Sequence, residues 1–139
     1  MEEINEIIGN PTPQNKEQKC EWKSNSIKNL LSSLSQFQGS LGSVSKDKTN
    51  PFFNSSYADI NAILGEIRPI LAKHGLSISQ GFRFCLNSNG FYVTTLLGHT
   101  SGEWMKSEVR MPIGGKKDAQ AVGSSCTYGR RYGLSAMLG

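Results

Sequence analysis

Long apolar runs are missing from the 139-residue chain: nothing approaches the ~20 residues that span a bilayer, and the N-terminus lacks the apolar core of a secretory leader. Both absences predict a protein kept in the cytoplasm, and no membrane partner. Cysteine is scarce. Cys20, Cys85 and Cys126 stand far apart with no C-x-x-C pair, and His74 and His99 are the only histidines, so no zinc-ligand spacing exists. Three reduced thiols in a reducing compartment are expected. The acidic residues form no D-x-D or E-x-x-H pattern, and neither histidine belongs to a nucleophile, acid–base or metal motif. No metal, no cofactor and no catalytic centre are therefore expected, and the chain is read as a non-enzyme.

The composition is otherwise that of a soluble globular domain, with 37% hydrophobic and 19% charged residues. The net charge of +4 is unevenly spread. Residues 1–24 hold five glutamates against three lysines, net −2, whereas residues 25–139 hold 12 basic and 6 acidic side chains, net +6. A basic body behind an acidic arm suits a polyanionic partner, although many basic proteins bind nothing acidic.

Residues 1–24, with Pro11, Pro13 and little periodicity, predict a flexible acidic arm ahead of one domain over residues 25–139. Ile27, Leu30, Leu31, Leu34 and Phe37 recur at helical spacing, with Gly39 as the expected stop. A long polar loop covers residues 40–56. A second helix follows, capped by Asp59, with Ile60, Ile63, Leu64, Ile67, Ile70 and Leu71 on one face, Pro69 disturbing its last turns and Gly75 ending it. The period then becomes two. Leu76, Ile78, Phe82 and Phe84 mark one strand, Phe91, Val93, Thr95 and Leu97 the next, and Met105, Val109 and Met111 a third. Trp104, Lys106, Glu108 and Arg110 alternate to the other side of that third strand. From about Asp118 to Met137 a last helix is expected, with Ala121, Val122, Ser125, Cys126, Gly129, Tyr132, Gly133 and Ala136 on its packed face. The fold class is α+β, in the order α-α-β-β-β-α: two N-terminal helices, an antiparallel three-stranded meander, and a long helix whose small side chains let it lie close on the sheet.

Three places could grip a polyanion. Gly114-Gly115-Lys116-Lys117 leads into the last helix, where backbone N–H groups and lysines suit a phosphate, though solvated lysines on a plain connection fit equally well. Arg130 and Arg131 share that helix with Gln120, Ser124 and Thr127, a run of donors without an acid; the alternative is an ion pair with Glu66 or Glu108. The loop around Lys48, Asn50, Phe53 and Tyr57 interleaves cations with aromatics, as single strands require, although its rings could simply pin it to the core. Trp104, with Lys106 and Arg110 beside it, is a further stacking candidate unless a helix or neighbouring subunit covers it.

Asn50-Pro51-Phe52-Phe53, Tyr57-Ala58-Asp59, Ile67-Arg68-Pro69 and Lys73-His74-Gly75-Leu76 closely resemble the ERF (essential recombination function) family of phage recombination proteins. The stretches from Lys117 to Ser124 and from Thr127 to Tyr132, running into Leu134–Gly139, resemble that family's second signature. The matches run in order through residues 27–139. The resemblance implies ATP-independent binding of single-stranded DNA and annealing of complementary strands in phage homologous recombination, inside the bacterial host cell. It also implies a homo-oligomeric ring or filament, a single-strand-binding protein or exonuclease of host or phage as partner, and a β-β-β-α core shared with other annealing proteins. On it, Arg130, Arg131, Lys116 and Lys117 become the leading DNA contacts, followed by Lys48, Asn50, Phe53 and Tyr57. One departure is Gly129 and Gly133, where family members often carry Ala; each glycine should weaken the isolated helix by about 1 kcal/mol. The alternatives are a module that protects single strands without annealing them and a DNA-processing nuclease, the latter opposed by the lack of clustered carboxylates.

Overall fold

A computed structural model of the chain describes residues 21–42, 59–85, 89–113 and 118–139. Its elements are α1 (Lys28–Gly42), α2 (Ile60–Lys73), β1 (Leu76–Phe84), β2 (Gly90–His99), β3 (Trp104–Pro112) and α3 (Ala119–Leu138). The strands form one antiparallel sheet in the order β1-β2-β3, with Phe82 opposite Val93 and Val93 opposite Val109. The expected class and order are therefore those observed.

All three helices lie on one side of the sheet. Leu76 and Leu97 join Leu30, Phe37, Ile60, Ile63, Leu64, Ile67, Leu71, Leu134, Met137 and Leu138 in the main core, with Ile78 and Met105 packed against it. These side chains are the period-two set of the strands and the i, i+3, i+4 set of the helices, so burying one stripe of each element builds the core. Gly75 turns the chain from α2 into β1 at φ +69°, a conformation natural to glycine, and its carbonyl accepts from Thr100 N–H at 3.0 Å.

The first turn of α1 is held by a carboxylate from the β2–β3 turn. Glu103 Oε2 accepts from the Leu30 N–H at 2.7 Å, and Oε1 accepts from Asn29 Nδ2 at 3.2 Å and Ser26 Oγ at 3.1 Å. An anion there meets unpaired N–H donors and the positive end of the helix dipole. The Leu30 N–H, helped by Ser26 and Asn29 and opposed by partial burial, holds the Glu103 carboxyl below the usual carboxylate range. A folded-state pKa lowered in this way contributes its full stability above the ordinary range and loses it as pH falls through the folded value. A Glu103→Gln chain should thus unfold in less urea than wild type near neutrality, and the two should converge as pH is lowered below the ordinary carboxylate range. Parallel stability curves would mean that the charge on Glu103 contributes nothing.

Two local features differ from the sequence reading. Helix α1 continues through Gly39 to Gly42, because one glycine costs only about 1 kcal/mol and Leu41 packs against the core beyond it. Helix α2, by contrast, runs through Pro69 to Lys73 with Leu71 buried and Gly75 just beyond its end, as the sequence indicates. The buried stripe of α3 is Gly129, Gly133, Leu134, Met137 and Leu138, whereas Tyr132 and Ala136, expected to pack, are exposed. The stripe shifts because the helix has two partners: its middle lies on the sheet, and its end enters the core between α1 and α2, where Gln38 Nε2 donates to the Leu138 carbonyl at 2.9 Å. Of the acidic arm, residues 22–24 lie along β3, with Lys106 N–H donating to Trp22 O and Ser24 N–H to Trp104 O, both at 2.8 Å. Residues 1–20 lie outside the described set.

Candidate nucleic-acid interface

Two glycines seat α3 on the sheet. A Cβ on Gly129 would stand 2.6 Å from Val93 Cγ2 and 2.7 Å from Met111 Cγ; one on Gly133 would stand 2.5 Å from Thr95 Oγ1. The helix thus lies against the sheet face that carries Val93, Thr95 and Met111. A polar clasp fixes it there. Gln80 Nε2 donates to Thr95 Oγ1 at 3.0 Å and to the Arg130 carbonyl at 2.9 Å, while Arg130 Nε lies 3.4 Å from Gln80 Oε1. Thr95 is wholly buried, so its hydroxyl needs such a partner.

The clasp sets Arg130 on the β1 side of α3, half-buried, with Arg131 one residue further round the helix. Glu108, offered by the sequence as an ion-pair partner for one of these arginines, is engaged elsewhere. It binds Arg83 at 3.0 Å and accepts from Thr94 Oγ1 at 3.1 Å, on the other face of the sheet. Helix α3 itself carries no acidic residue from Ala119 to Leu138. Beside Arg130, burial pushes the Cys126 thiol up, and the arginine cation only partly offsets this. That thiol stays protonated and poorly nucleophilic.

Gln120, Ser124 and Thr127 are exposed along the same helix. Thr127 Oγ1 donates to the Gly123 carbonyl at 3.1 Å, so its proton is turned into the helix and only its lone pairs face outward. Asp118 caps α3, accepting from the Ala121 N–H at 2.7 Å, which occupies one donor of the first turn. The adjoining Lys116 and Lys117 lie outside the described residues, as do Lys48, Asn50, Phe53 and Tyr57 of the long loop. Lys106 is not brought to α3. It stands on the opposite face of the sheet, its Nζ 5.7 Å from the centre of the Trp22 ring.

The structure adds residues that the sequence reading passed over. Tyr128 and Tyr132 are 40% and 57% exposed and stack with ring centres 6.4 Å apart and planes 29° from parallel. Their spacing of four marks one helical face, but the small residues beside Tyr132 suggested a packed one. Gln80 carried a clearer signal: a polar side chain at a core-facing position of the alternation, matched by Thr95 on the next strand. His99 has a structural place, its ring nitrogens 2.9 Å from Ser33 Oγ and 2.8 Å from Ser101 Oγ.

Among the described residues, Cys85 and Cys126 are free thiols, no group of three or more His, Cys, Asp or Glu could hold a metal ion, and no helix is long and apolar enough to cross a membrane. The family model of the ERF superfamily matches residues 30–139. No curated protein and no solved structure matches the chain.

Proposed function

The chain belongs to the ERF superfamily, and from that premise we propose that it binds single-stranded DNA and anneals complementary strands without ATP, in phage homologous recombination. Family membership supports a recombination and annealing role at the family level. The observation that carries the finer reading is the outer surface of α3, which presents Arg130 and Arg131 with the exposed Gln120 amide, the Ser124 and Thr127 hydroxyls and two stacked tyrosines, and no carboxylate along the helix.

Annealing needs little chemistry. Cations must lower the repulsion between two phosphate backbones, and the bases must stay open to test a second strand. Arg130 and Arg131 suit the first task, since guanidinium groups bind phosphate oxygens in pairs. Tyr128 and Tyr132 can steady bases by their faces without reading their edges, which keeps binding independent of sequence. Copies of the chain would align these surfaces into one track, as a ring or filament in the bacterial cytoplasm. A single-strand-binding protein or an exonuclease of host or phage would supply the strands.

The test is the pairing of two complementary, dye-labelled oligonucleotides without ATP, comparing wild type with Arg130→Ala/Arg131→Ala after equal folding and assembly are verified. Wild type should speed pairing, and loss of two charge-assisted phosphate contacts, each worth about 1.5–3 kcal/mol, should slow the variant at least tenfold at sub-saturating protein. Binding by wild type with no gain in pairing rate would make the protein a strand-protecting module instead. Cleavage of the labelled strands in magnesium or manganese would make it a nuclease.

A further inference from the structure

Among the described residues no helix covers the sheet face turned away from α3, and the strand register arranges its residues in rows. Arg83, Tyr92 and Arg110 stand abreast across the three strands, a ring between two cations. The Arg83 guanidinium carbon lies 4.3 Å from the centre of the Tyr92 ring, and Arg110 extends along the same face toward Gly90, 3.5 Å from where a Cβ there would stand. Four residues along β3, Ser79, Leu96 and Lys106 form another row, flanked by Trp22 under the Lys106 ammonium. At about 3.3 Å per residue these rows are roughly 13 Å apart. Trp104 follows in the row of Gly98 and Ser77. Trp22 is 47% exposed and Leu96 37%.

An exposed tryptophan, an exposed leucine and a tyrosine on one open face are not stabilising burials in this chain, and something flat and apolar would shield them well. The charges say what kind of partner. Among the described residues, Arg83, Lys106 and Arg110 share this face with one carboxylate, Glu108, which Arg83 and Thr94 already engage. Cations interleaved with aromatic rings on an open sheet match an anionic backbone whose bases can be splayed and stacked.

We propose that this face, from Trp22 and Lys106 to Tyr92 and Arg110, is a second single-strand contact surface, on the side of the sheet opposite Arg130 and Arg131. It rests on the protein being a single-strand binder, and it adds that one subunit holds nucleic acid from both sides of its sheet. The rings of Trp22 and Tyr92 stack bases, while Lys106, Arg110 and Arg83 follow phosphates.

The chain provides its own probe, because its two tryptophans, Trp22 and Trp104, both belong to this face and α3 has none. The full chain is titrated with oligo(dT) carrying a distal dye, reading tryptophan emission and dye anisotropy on the same samples, with heparin as a polyanion that lacks bases. Oligo(dT) should quench tryptophan emission and heparin should not. The quench at saturation should survive in Arg130→Ala/Arg131→Ala, although more DNA is needed to reach it. Trp22→Ala, checked for native circular dichroism, should weaken binding about tenfold, the loss of one stacked base. Lys106→Ala/Arg110→Ala should flatten the salt dependence of log K by about 1.4, two phosphate contacts.

Anisotropy that rises while emission stays constant, with Trp22→Ala and Lys106→Ala/Arg110→Ala binding like wild type, overturns the proposal and leaves the α3 surface standing. Tryptophans already shielded from iodide in the DNA-free assembly, and unchanged by DNA, also overturn it, because a second copy of the chain then covers the face. No rise in anisotropy at any protein concentration removes single-strand binding itself, and this surface with it.

Discussion

Gly133→Ala should destabilise the protein by about 2–3 kcal/mol, even though alanine is the better helix former by about 1 kcal/mol. The new Cβ would stand 2.5 Å from Thr95 Oγ1, inside any permitted contact. Thr95 cannot swing away cheaply: it is β-branched, wholly buried, and its hydroxyl is held by Gln80 at 3.0 Å. Either the helix backs off the sheet, opening a gap along the core, or the Thr95 hydroxyl loses its partner in a buried setting. In thermal unfolding the loss should read as about 10 °C in Tm. Gly129→Ala should follow in the same direction with a smaller effect, since the Met111 side chain can bend away although the stiffer Val93 cannot. The pair Gly133→Ala and Thr95→Ala should couple, the second change relieving part of the first. A Gly133→Ala chain as stable as wild type would mean that α3 does not sit this close. The two glycines, which look like weak points in a helix otherwise suited to alanine, are thus what allows this helix to meet this sheet.

That inversion shows which parts of the fold a sequence can carry. The strands are legible because alternate side chains face the helices, which writes a period of two into Leu76–Phe84 and Phe91–Leu97, although only β2 buries the whole set and Phe82 and Phe84 at the end of β1 stay exposed. The cap Asp59 and the turn at Gly75 were legible because each answers to local geometry alone. Where a residue's role depends on a distant partner, local pattern failed. Gly39 has the chemistry of a helix end, yet burial of Leu41 carries α1 past it. Tyr132 sits among small residues that promise a packed stripe, yet the stripe follows the sheet in the middle of α3 and the α1–α2 core at its end, leaving the ring outside. The carboxylate that holds the first turn of α1 comes from Glu103, 73 residues further on. In the candidate site, Arg130, Arg131, Gln120, Ser124 and Thr127 share α3 as expected, because one helix fixes their spacing. The placement of Lys106 across the sheet from them followed from strand alternation, and the Trp22 ring beside it did not, because residues 22–24 join β3 through backbone hydrogen bonds that no side-chain pattern announces.

Affinity for a single strand should fall steeply with salt, and the slope should reveal how many cations act. Each phosphate neutralised on single-stranded DNA contributes about −0.7 to the slope of log K against log salt. If about four cations engage per site, among them Arg130 and Arg131, raising salt from about 50 to about 200 mM should weaken binding roughly 50-fold. Arg130→Ala/Arg131→Ala should lower affinity at every salt concentration and make the slope shallower by about 1.4. Stacking on rings is far less sensitive to salt, so whatever affinity remains at high salt measures the aromatic contribution, and Tyr128→Ala/Tyr132→Ala should diminish that remainder while leaving the slope unchanged. The two variants therefore divide the binding energy by kind. A wild-type slope near zero would remove the phosphate role assigned to the arginines, since no arrangement of cations on a polyanion escapes competition from salt. A steep slope that Arg130→Ala/Arg131→Ala leaves intact would move the phosphate contacts off α3, to other cations of a body whose net charge over residues 25–139 is +6.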